Sequence, residues 1–205
     1  MAGPVRNTFV ASMSVDRAHY RIRLPEADVR PVANAILQRR WAESRDGRVN
    51  FHGERWTGWC INGCEQLVRG GFVLGYRMSM ASLPKIDLPE ANAIIEKIPG
   101  KKHAVRLFRL SPGHVVQTHV DAGEFYVERD WREVRKVHVA IITNDDCVNF
   151  EGEPAEGRSI HMRPGEYWYL DGTVPHGASN LGTNHRWHLV IDVDPNPKLD
   201  ALLVH

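Results

Sequence analysis

The sequence contains few cysteines, no long apolar run and almost no net charge. Three cysteines in 205 residues are too few, and odd in number, for a disulfide framework. No apolar run approaches the length of a membrane span, and no charged-then-apolar signal segment begins the chain. The 26 basic and 25 acidic residues nearly cancel, which gives no electrostatic reason to expect nucleic acid or an acidic membrane surface as a partner. We therefore expect a cytoplasmic protein with neither kind of partner, and its oligomeric state stays open.

Cys60 and Cys64 form the one close pair of cysteines in the sequence. A zinc site would need further ligands at suitable spacing, and Cys147 alone does not complete one. We interpret Cys60 and Cys64 as ordinary buried or turn thiols, in keeping with a reducing compartment.

The length and the ordinary globular composition predict a single domain over residues 1–205. We expect residues 1–100 to form a scaffold of helices and strands, and residues 101–195 to form the catalytic β core. Two segments of the scaffold have helical apolar spacing, and the second begins with Asp87 as a cap and Glu90 as its capping-box partner. The apolar stripes are Val29, Val32, Ala33, Ile36 and Leu37 in the first helix, and Ala91, Ile94, Ile95 and Ile98 in the second.

Three side chains of the core have the order and spacing of a metal-binding facial triad. His119 and Asp121 are two positions apart in a strand-like stretch that begins at His114, so both point to the same side. His176 follows 55 positions after Asp121 and lies just past the aromatic strand 166–171. Two imidazoles and one carboxylate hold Fe(II) on one face and leave the opposite face open for a chelating co-substrate and oxygen.

An arginine extends this pattern beyond a metal site. Arg186 follows His176 by ten positions, at the start of an apolar strand. Its planar, permanently charged guanidinium suits the distal carboxylate of 2-oxoglutarate. A histidine and an acid two positions apart are weak evidence alone, and His52 with Glu54 repeats the spacing without the strand pattern or the later histidine and arginine. We read that second pair as a chance match.

Several motifs of the second half resemble the aspartyl/asparaginyl β-hydroxylase-like branch of Fe(II)/2-oxoglutarate dioxygenases, which includes bacterial proline hydroxylases. The motifs are Ala104–Gly113, His119–Asp121, Val137–Asn144, Met162–Asp171, Pro175–His176 and Arg186–Asp192. The resemblance implies a mainly β fold with flanking helices, built as a double-stranded β-helix or cupin-like jelly roll. It also implies that His119, Asp121 and His176 are the catalytic metal ligands, and that Arg186 binds the co-substrate carboxylate.

The same resemblance extends to one further pair of residues. The family tends to carry an Arg-x-His pair that contacts 2-oxoglutarate, and this sequence has Lys136 and His138 at that place. We assign both residues to co-substrate binding. The lysine supplies charge but lacks the two-donor fork of an arginine.

Three features leave alternatives open. The charged and aromatic segment from Asp121 to Arg135 is either a lid over the iron or a solvated loop. Arg106 and Arg109 point to opposite faces of one strand, and either could meet a substrate carboxylate. His188 shares a face with Arg186 and is either an active-site neighbour or a packed, hydrogen-bonded histidine.

The resemblance implies an enzyme that uses Fe(II), 2-oxoglutarate and O2. We expect it to hydroxylate an unactivated carbon of a free or peptide-borne amino acid and to release succinate and CO2. The same iron centre could instead desaturate or cyclise its substrate. Two other classes remain as alternatives, namely a non-catalytic cupin that binds a metal or a small acid, and a cupin isomerase or dioxygenase that uses no keto acid.

Overall fold

A computed structural model describes most of the chain from His19 onwards. The described residues are 19–39, 41, 48–49, 56–64, 72–73, 76–77, 83–121, 134–152 and 157–204. His52, Glu54 and residues 122–133 of the segment considered as a lid lie outside them.

Short strands and a few short helices make up the described part of the chain. The strands are β1 (His19–Ile22), β2 (Arg48–Val49), β3 (Trp56–Asn62), β4 (Phe72–Val73), β5 (Tyr76–Arg77), β6 (Lys102–Leu110), β7 (His114–His119), β8 (Arg135–Ile142), β9 (Cys147–Glu151), β10 (Arg158–Ile160), β11 (Tyr167–Leu170), β12 (His176–Asn180), β13 (Arg186–Val193) and β14 (Leu203–Val204). The helices are α1 (Arg30–Gln38), α2 (Asn92–Ile95), which follows a 3₁₀ turn at Pro89–Ala91, and α3 (Pro197–Asp200). None of the helices described is long and apolar enough to cross a lipid bilayer.

The strands from β6 to β13 alternate between two antiparallel sheets. The larger sheet has the order β14-β1-β11-β8-β13-β6-β3-β2, and the smaller has the order β10-β9-β12-β7. After β1, β2 and β3, which also belong to the large sheet, β6 lies in that sheet and β7 in the small one. The chain returns to the large sheet at β8, forms β9 and β10 in the small sheet, and returns again at β11. It then crosses once more to β12 and ends in β13. This winding is the double-stranded β-helix, or jelly roll, and it confirms the predicted fold.

The outer face of the large sheet is apolar and covered by helices. Val137, Val139 and Ile141 alternate along β8 and are fully or almost fully buried on this face. They belong to one core cluster with residues of both scaffold helices, among them Ile36 and Ile94. The helices therefore pack on the outside of the β core, as predicted.

Two details of the predicted helices are wrong. Leu37 is 72% exposed, because it lies at the edge of the apolar stripe of α1 and beyond the reach of the sheet. The second helical segment begins with a 3₁₀ turn whose N-cap residue is Leu88, and no side chain caps it. Asp87 precedes that residue by one position, so the predicted capping box with Glu90 does not form.

The two arginines of β6 lie on opposite faces, as the sequence predicts. Arg109 points outward, and its guanidinium carbon lies 5.6 Å from the ring centre of Trp59 and 5.7 Å from that of Trp187. Arg106 points inward, where it is 1% exposed and its Nη2 donates to Asp192 Oδ2 at 2.5 Å. Of the two, Arg106 is the residue on the side of the candidate site.

Cys60 and Cys64 form a disulfide, so their interpretation as free thiols is wrong. Cys60 lies near the end of β3, and the chain reverses at Gly63, which has a φ of 73°. The reversal brings the two Cα atoms to 6.0 Å from each other, within the range that a disulfide spans. Cys147 is buried and keeps its thiol.

Candidate metal centre

The structure brings His119, Asp121 and His176 together between the two sheets. His119 ends β7 and His176 begins β12, and these residues are direct partners in the ladder. Asp121 Oδ1 lies 3.7 Å from His119 Nε2 and 3.8 Å from His176 Nε2. One ligand atom of each residue lies within 4.8 Å of the other two, and the described part of the chain contains no second group of three such side chains this close together. The predicted ligands therefore form one donor set.

Both histidines are oriented by the same local hydrogen bond. Nδ1 of His119 donates to the carbonyl of Gln117 at 2.8 Å, and Nδ1 of His176 donates to that of Val174 at 2.8 Å. A carbonyl oxygen only accepts, so Nδ1 carries the ring proton and Nε2 keeps its lone pair. Metal-binding histidines are commonly fixed in this way by the nitrogen that does not bind the metal.

Asp121 is fixed through its backbone and its side chain. Its N–H donates to the carbonyl of Gly172 at 2.8 Å. A Cβ at Gly172 would lie 2.4 Å from Asp121 Oδ2, so a glycine leaves the room that the carboxylate occupies. Lys136 reaches across from β8 in the other sheet, and its Nζ donates to the same Oδ2 at 2.5 Å.

The protonation states of this group suit a metal ion. Burial acts to raise the pKa of Asp121, but the Lys136 ammonium and the two imidazoles outweigh it and hold that pKa well below its usual range. Burial lowers the pKa of His176 to about 4, against the opposing effect of Asp121. At neutral pH the group therefore offers a carboxylate and a neutral imidazole, which are the forms that bind metals.

Arg186 begins β13 and points into the interior, where it is 8% exposed. Its Nε donates to His188 Nε2 at 3.0 Å, and its Nη2 donates to Asn149 Oδ1 at 2.6 Å. Burial lowers the pKa of Arg186 to about 10, so it remains charged at neutral pH. None of its hydrogen-bond partners in the described part of the chain is an acid.

His138 lies in β8, two positions after Lys136 and on the same face of the sheet. Its pKa is well below the usual value, first because of burial and further because of the charges of Lys136 and Arg186, among others. Its Nε2 is buried and has no hydrogen-bond partner among the described residues. An unpaired buried ring nitrogen is costly, so this atom marks a place where a polar ligand fits.

His188 combines the two roles considered for it. It is buried and hydrogen-bonded to Arg186, and its ring centre lies 6.2 Å from that of His138 in an edge-on arrangement. It is therefore a packed histidine that also orients the candidate co-substrate anchor.

A histidine of the N-terminal strand also lies beside the metal ligands, and the sequence analysis did not find it. His19 in β1 has its ring centre 6.3 Å from that of His176. Its N–H donates to Glu151 Oε2 at 2.6 Å, and its Nδ1 lies 3.1 Å from the same oxygen. Glu151 is the ladder partner of His176 in β9, and Arg158 donates to its other oxygen at 2.7 Å. Glu151 thus links β1 of the large sheet to β9 of the small sheet.

The sequence contains a local signal for some of the residues that were not predicted, but not for all of them. Cys147, Asn149 and Glu151 occupy every second position of β9 and therefore share one face, and all three are buried. This spacing could have indicated that Asn149 and Glu151 point inward. His19 has no comparable local signal, because its place depends on the pairing of β1 with β11, about 150 residues away.

The chain is similar to several known proteins. A sequence model of the family described as aspartyl/asparaginyl beta-hydroxylase matches residues 72–195, which is more than half of the chain. The L-proline cis-4-hydroxylase of Rhizobium meliloti (strain 1021) is 34% identical over 89 residues, which are 43% of this chain and 29% of that protein. The match therefore spans less than a third of that relative's length.

Two solved structures are similar at low sequence identity. An oxidoreductase of the 2OG-Fe(II) oxygenase family from Burkholderia pseudomallei has a TM-score of 0.47 and 10% identity, over 80% of this chain and 77% of that one. A viral collagen prolyl hydroxylase from Paramecium Bursaria Chlorella virus-1 has a TM-score of 0.35 and 12% identity, over 53% of this chain and 68% of that one.

Proposed function

The chain belongs to the aspartyl/asparaginyl β-hydroxylase family, and from that premise we propose that it is an Fe(II)- and 2-oxoglutarate-dependent dioxygenase. The proposed reaction inserts one oxygen atom of O2 into an unactivated C–H bond of a free or peptide-borne amino acid. The other oxygen atom enters succinate as 2-oxoglutarate loses CO2.

One observation carries the co-substrate assignment. Arg186 is a buried cation whose hydrogen-bond partners among the described residues, His188 and Asn149, are neutral. A buried charge without an opposite charge is unfavourable, so the site favours an anionic ligand. A carboxylate fits because a guanidinium can bind both of its oxygens in one plane. We assign the distal carboxylate of 2-oxoglutarate to Arg186.

His138 supports the same placement. Its Nε2 is buried without a hydrogen-bond partner among the described residues, and both Arg186 and His176 are close enough to influence the pKa of His138. A keto diacid that extends from the metal ligands towards Arg186 would pass this nitrogen, so we assign it a polar contact with the co-substrate. The assignment of Lys136 to the co-substrate stays a prediction, and the hydrogen bond from Lys136 to Asp121 supports a different role, in which the lysine orients that aspartate.

His119, Asp121 and His176 would hold Fe(II), since two neutral imidazoles and a carboxylate are the donors of the facial triad. When bound, the iron and the keto acid supply the oxidising power. The carbonyl groups of Gln117 and Val174 keep both imidazoles turned so that Nε2 faces Asp121. The two strands that carry the histidines are paired, which fixes the separation of these ligands before any ion arrives.

We propose an amino acid, free or within a peptide, as the substrate. We also propose the cytoplasm as the location, although a disulfide such as Cys60–Cys64 is rare in that compartment. The substrate proposal follows from the family and from the relative that is named as an L-proline hydroxylase. Charged and polar side chains such as Lys136, which bonds to Asp121, and Arg186 point to the inner side of the large sheet. Groups of this kind can orient a small charged molecule.

The test is an anaerobic sample of the protein with Fe(II) and 2-oxoglutarate, screened against a library of amino acids and short peptides. A substrate is expected to shift the metal-to-co-substrate charge-transfer band. Admission of air should then release succinate in amounts that match the hydroxylated product.

Two controls separate the other classes of function. A metal-storing or sensing cupin would bind Fe(II) but release no succinate with any substrate. A cupin isomerase, or a dioxygenase without a keto acid, would convert its substrate equally well when 2-oxoglutarate is omitted. Either result would overturn the proposed function.

A further inference from the structure

We propose that Lys136 is a positioning residue of the metal centre, which holds Asp121 so that only one of its carboxylate oxygens faces the two histidines. This inference rests on the proposed function, because it assumes that the triad binds a divalent metal. It differs from the assignment of Lys136 as a contact for 2-oxoglutarate, and the two roles predict different measurements.

The two oxygens of Asp121 have different surroundings. Oδ1 is the oxygen that lies 3.7 and 3.8 Å from the Nε2 atoms of His119 and His176. Oδ2 points to Lys136, whose Nζ lies at 2.5 Å. A single rotation of the carboxylate would exchange the two oxygens, and the hydrogen bond to the ammonium distinguishes between the two orientations. The arrangement reserves Oδ1 for a metal and leaves Oδ2 to the lysine.

The position of Gly172 reinforces this orientation. Its carbonyl accepts the N–H of Asp121 at 2.8 Å, and its missing Cβ leaves space beside Oδ2, the oxygen that Lys136 binds. The backbone hydrogen bond therefore fixes the position of the Asp121 main chain, and the lysine fixes the orientation of its carboxylate. Outer partners of this kind commonly orient the ligands that bind a metal directly.

The link also joins the two sheets. Lys136 lies in β8 of the large sheet, where Asp192 and Leu170 are its ladder neighbours, whereas Asp121 follows β7 of the small sheet. Both side chains are partly buried, with 18% of Lys136 and 13% of Asp121 exposed. A lysine that is already engaged with a carboxylate across the sheets is poorly placed to receive a second one from the co-substrate, and it lacks the planar fork of an arginine.

The charge of Lys136 also has an opposing effect. An ammonium next to the site repels a divalent cation, which on its own would weaken metal binding. The ammonium is already paired with the Asp121 carboxylate at 2.5 Å, and this opposite charge offsets much of the repulsion that a metal ion would meet. We therefore expect the loss of a fixed carboxylate to dominate when the lysine is removed.

The experiment uses the full chain without iron or 2-oxoglutarate and measures the binding of Mn(II) by calorimetry and the visible absorption of the Co(II)-loaded protein. Lys136→Met is expected to raise the dissociation constant for Mn(II) by about 10- to 100-fold. It should also change the Co(II) spectrum, because the carboxylate is free to bind the metal through both oxygens. Lys136→Arg keeps a charged donor and should remain within about threefold of the wild type for Mn(II).

Arg135→Met is the matched control, since Arg135 is the neighbouring residue of β8 and pairs instead with Asp200 at 3.1 Å. It should leave both readouts unchanged. If Lys136→Met does not fold, as judged by its thermal unfolding, Lys136→Gln replaces it, with the same direction of effect and a smaller size expected.

The inference is overturned if loss of the ammonium leaves Mn(II) affinity and the Co(II) spectrum unchanged. It is also overturned if the affinity for 2-oxoglutarate, measured on Mn(II)-saturated protein, falls more than the affinity for Mn(II). That second result would make Lys136 a co-substrate contact. A wild-type protein that binds Mn(II) but not 2-oxoglutarate would refute the proposed function alone, because the Mn(II) and Co(II) readouts need no co-substrate.

Discussion

The two faces of the large sheet differ in chemistry, although along β13 both faces are buried. All eight residues of β13 are buried. Those that point outward, such as Leu189 and Ile191, are apolar and pack in the main core cluster. The inward-facing residues are mostly polar, namely Arg186, His188 and Asp192, with the apolar Val190 among them. β8 shows the same division, with Val137 and Val139 outside and Lys136 and His138 inside.

The difference shows that burial alone does not identify a core in this fold. Each large apolar side chain of the outer face stabilises the protein by about 1.5–3 kcal/mol through its removal from water. The inward-facing polar groups need hydrogen bonds or ligands to offset their own desolvation, and some of them, such as His138 Nε2, have none in the described structure. One strand therefore contributes to folding through one face and to binding through the other. Substitutions on the two faces should therefore have different consequences.

His176→Ala should abolish metal binding while the protein stays folded. It removes a donor directly, so the dissociation constant for Mn(II) should rise by more than the roughly 100-fold that loss of an outer partner can cause. Calorimetric titration measures this effect. His114→Ala is the matched control, because His114 lies in β7, the strand paired with β12, and its Nδ1 donates to the carbonyl of Pro112 at 2.8 Å in the same manner. Normal Mn(II) binding by His176→Ala would place the metal centre elsewhere.

Arg186→Met should weaken 2-oxoglutarate binding by roughly 30-fold or more, because removal of one partner of a buried ionic contact costs about 2 kcal/mol or more of binding free energy. The free energy of unfolding without 2-oxoglutarate should stay the same or rise, because a buried charge without an acidic partner is removed. Titration of the Mn(II)-loaded variant and urea unfolding measure the two quantities. An unchanged affinity would contradict the co-substrate assignment.

Leu189→Ala should show the reverse pattern. The change leaves a cavity under the helices and should lower the free energy of unfolding by about 2–5 kcal/mol. Affinity for 2-oxoglutarate, measured on the fraction that is folded, should remain that of the wild type. If this variant weakened 2-oxoglutarate as strongly as Arg186→Met does, the division between the faces would not hold.

The metal-free protein should lose stability as the pH falls below about 6.5. His138 and His188 are buried and their pKa values are well below the usual one, so the folded protein keeps both neutral. The unfolded chain takes up protons as the pH drops through the ordinary pKa of histidine, and unfolding is thereby favoured by about 1.4 kcal/mol per pH unit for each proton. Urea unfolding at several pH values measures this slope.

Two variants sharpen the pH experiment. His138→Leu should flatten the slope by the contribution of one proton. Leu189→Ala on the opposite face should lower the whole curve without a change in slope. A slope that His138→Leu leaves unaltered would show that this histidine does not resist protonation in the folded state.

The fold and the candidate metal-binding residues could be predicted because their signals are local. Alternation along Val137, Val139 and Ile141 indicates a strand with one apolar face, and His119 with Asp121 has the strand period of two. The later histidine and arginine then follow in the order of the family. The topology confirms the fold, and the geometry of the triad agrees with the spacing of its residues.

The contacts between distant segments were not predictable. The bond from Lys136 to Asp121 crosses from one sheet to the other, and the bond from His19 to Glu151 joins residues 132 positions apart. No pattern within one strand encodes either pairing. The disulfide was missed for another reason, since an odd number of cysteines argues against a disulfide framework but leaves a single local bridge possible.

Strand β1 covers an edge that the family segment alone would leave open. It pairs with β11 on one side and with β14 on the other, and neither β1 nor β14 lies within residues 72–195. A shortened version limited to that segment would present the unpaired backbone of β11 to solvent, where a second molecule can add a strand. Such a truncation is therefore expected to self-associate, and expression should retain the chain from before His19 to beyond Val204.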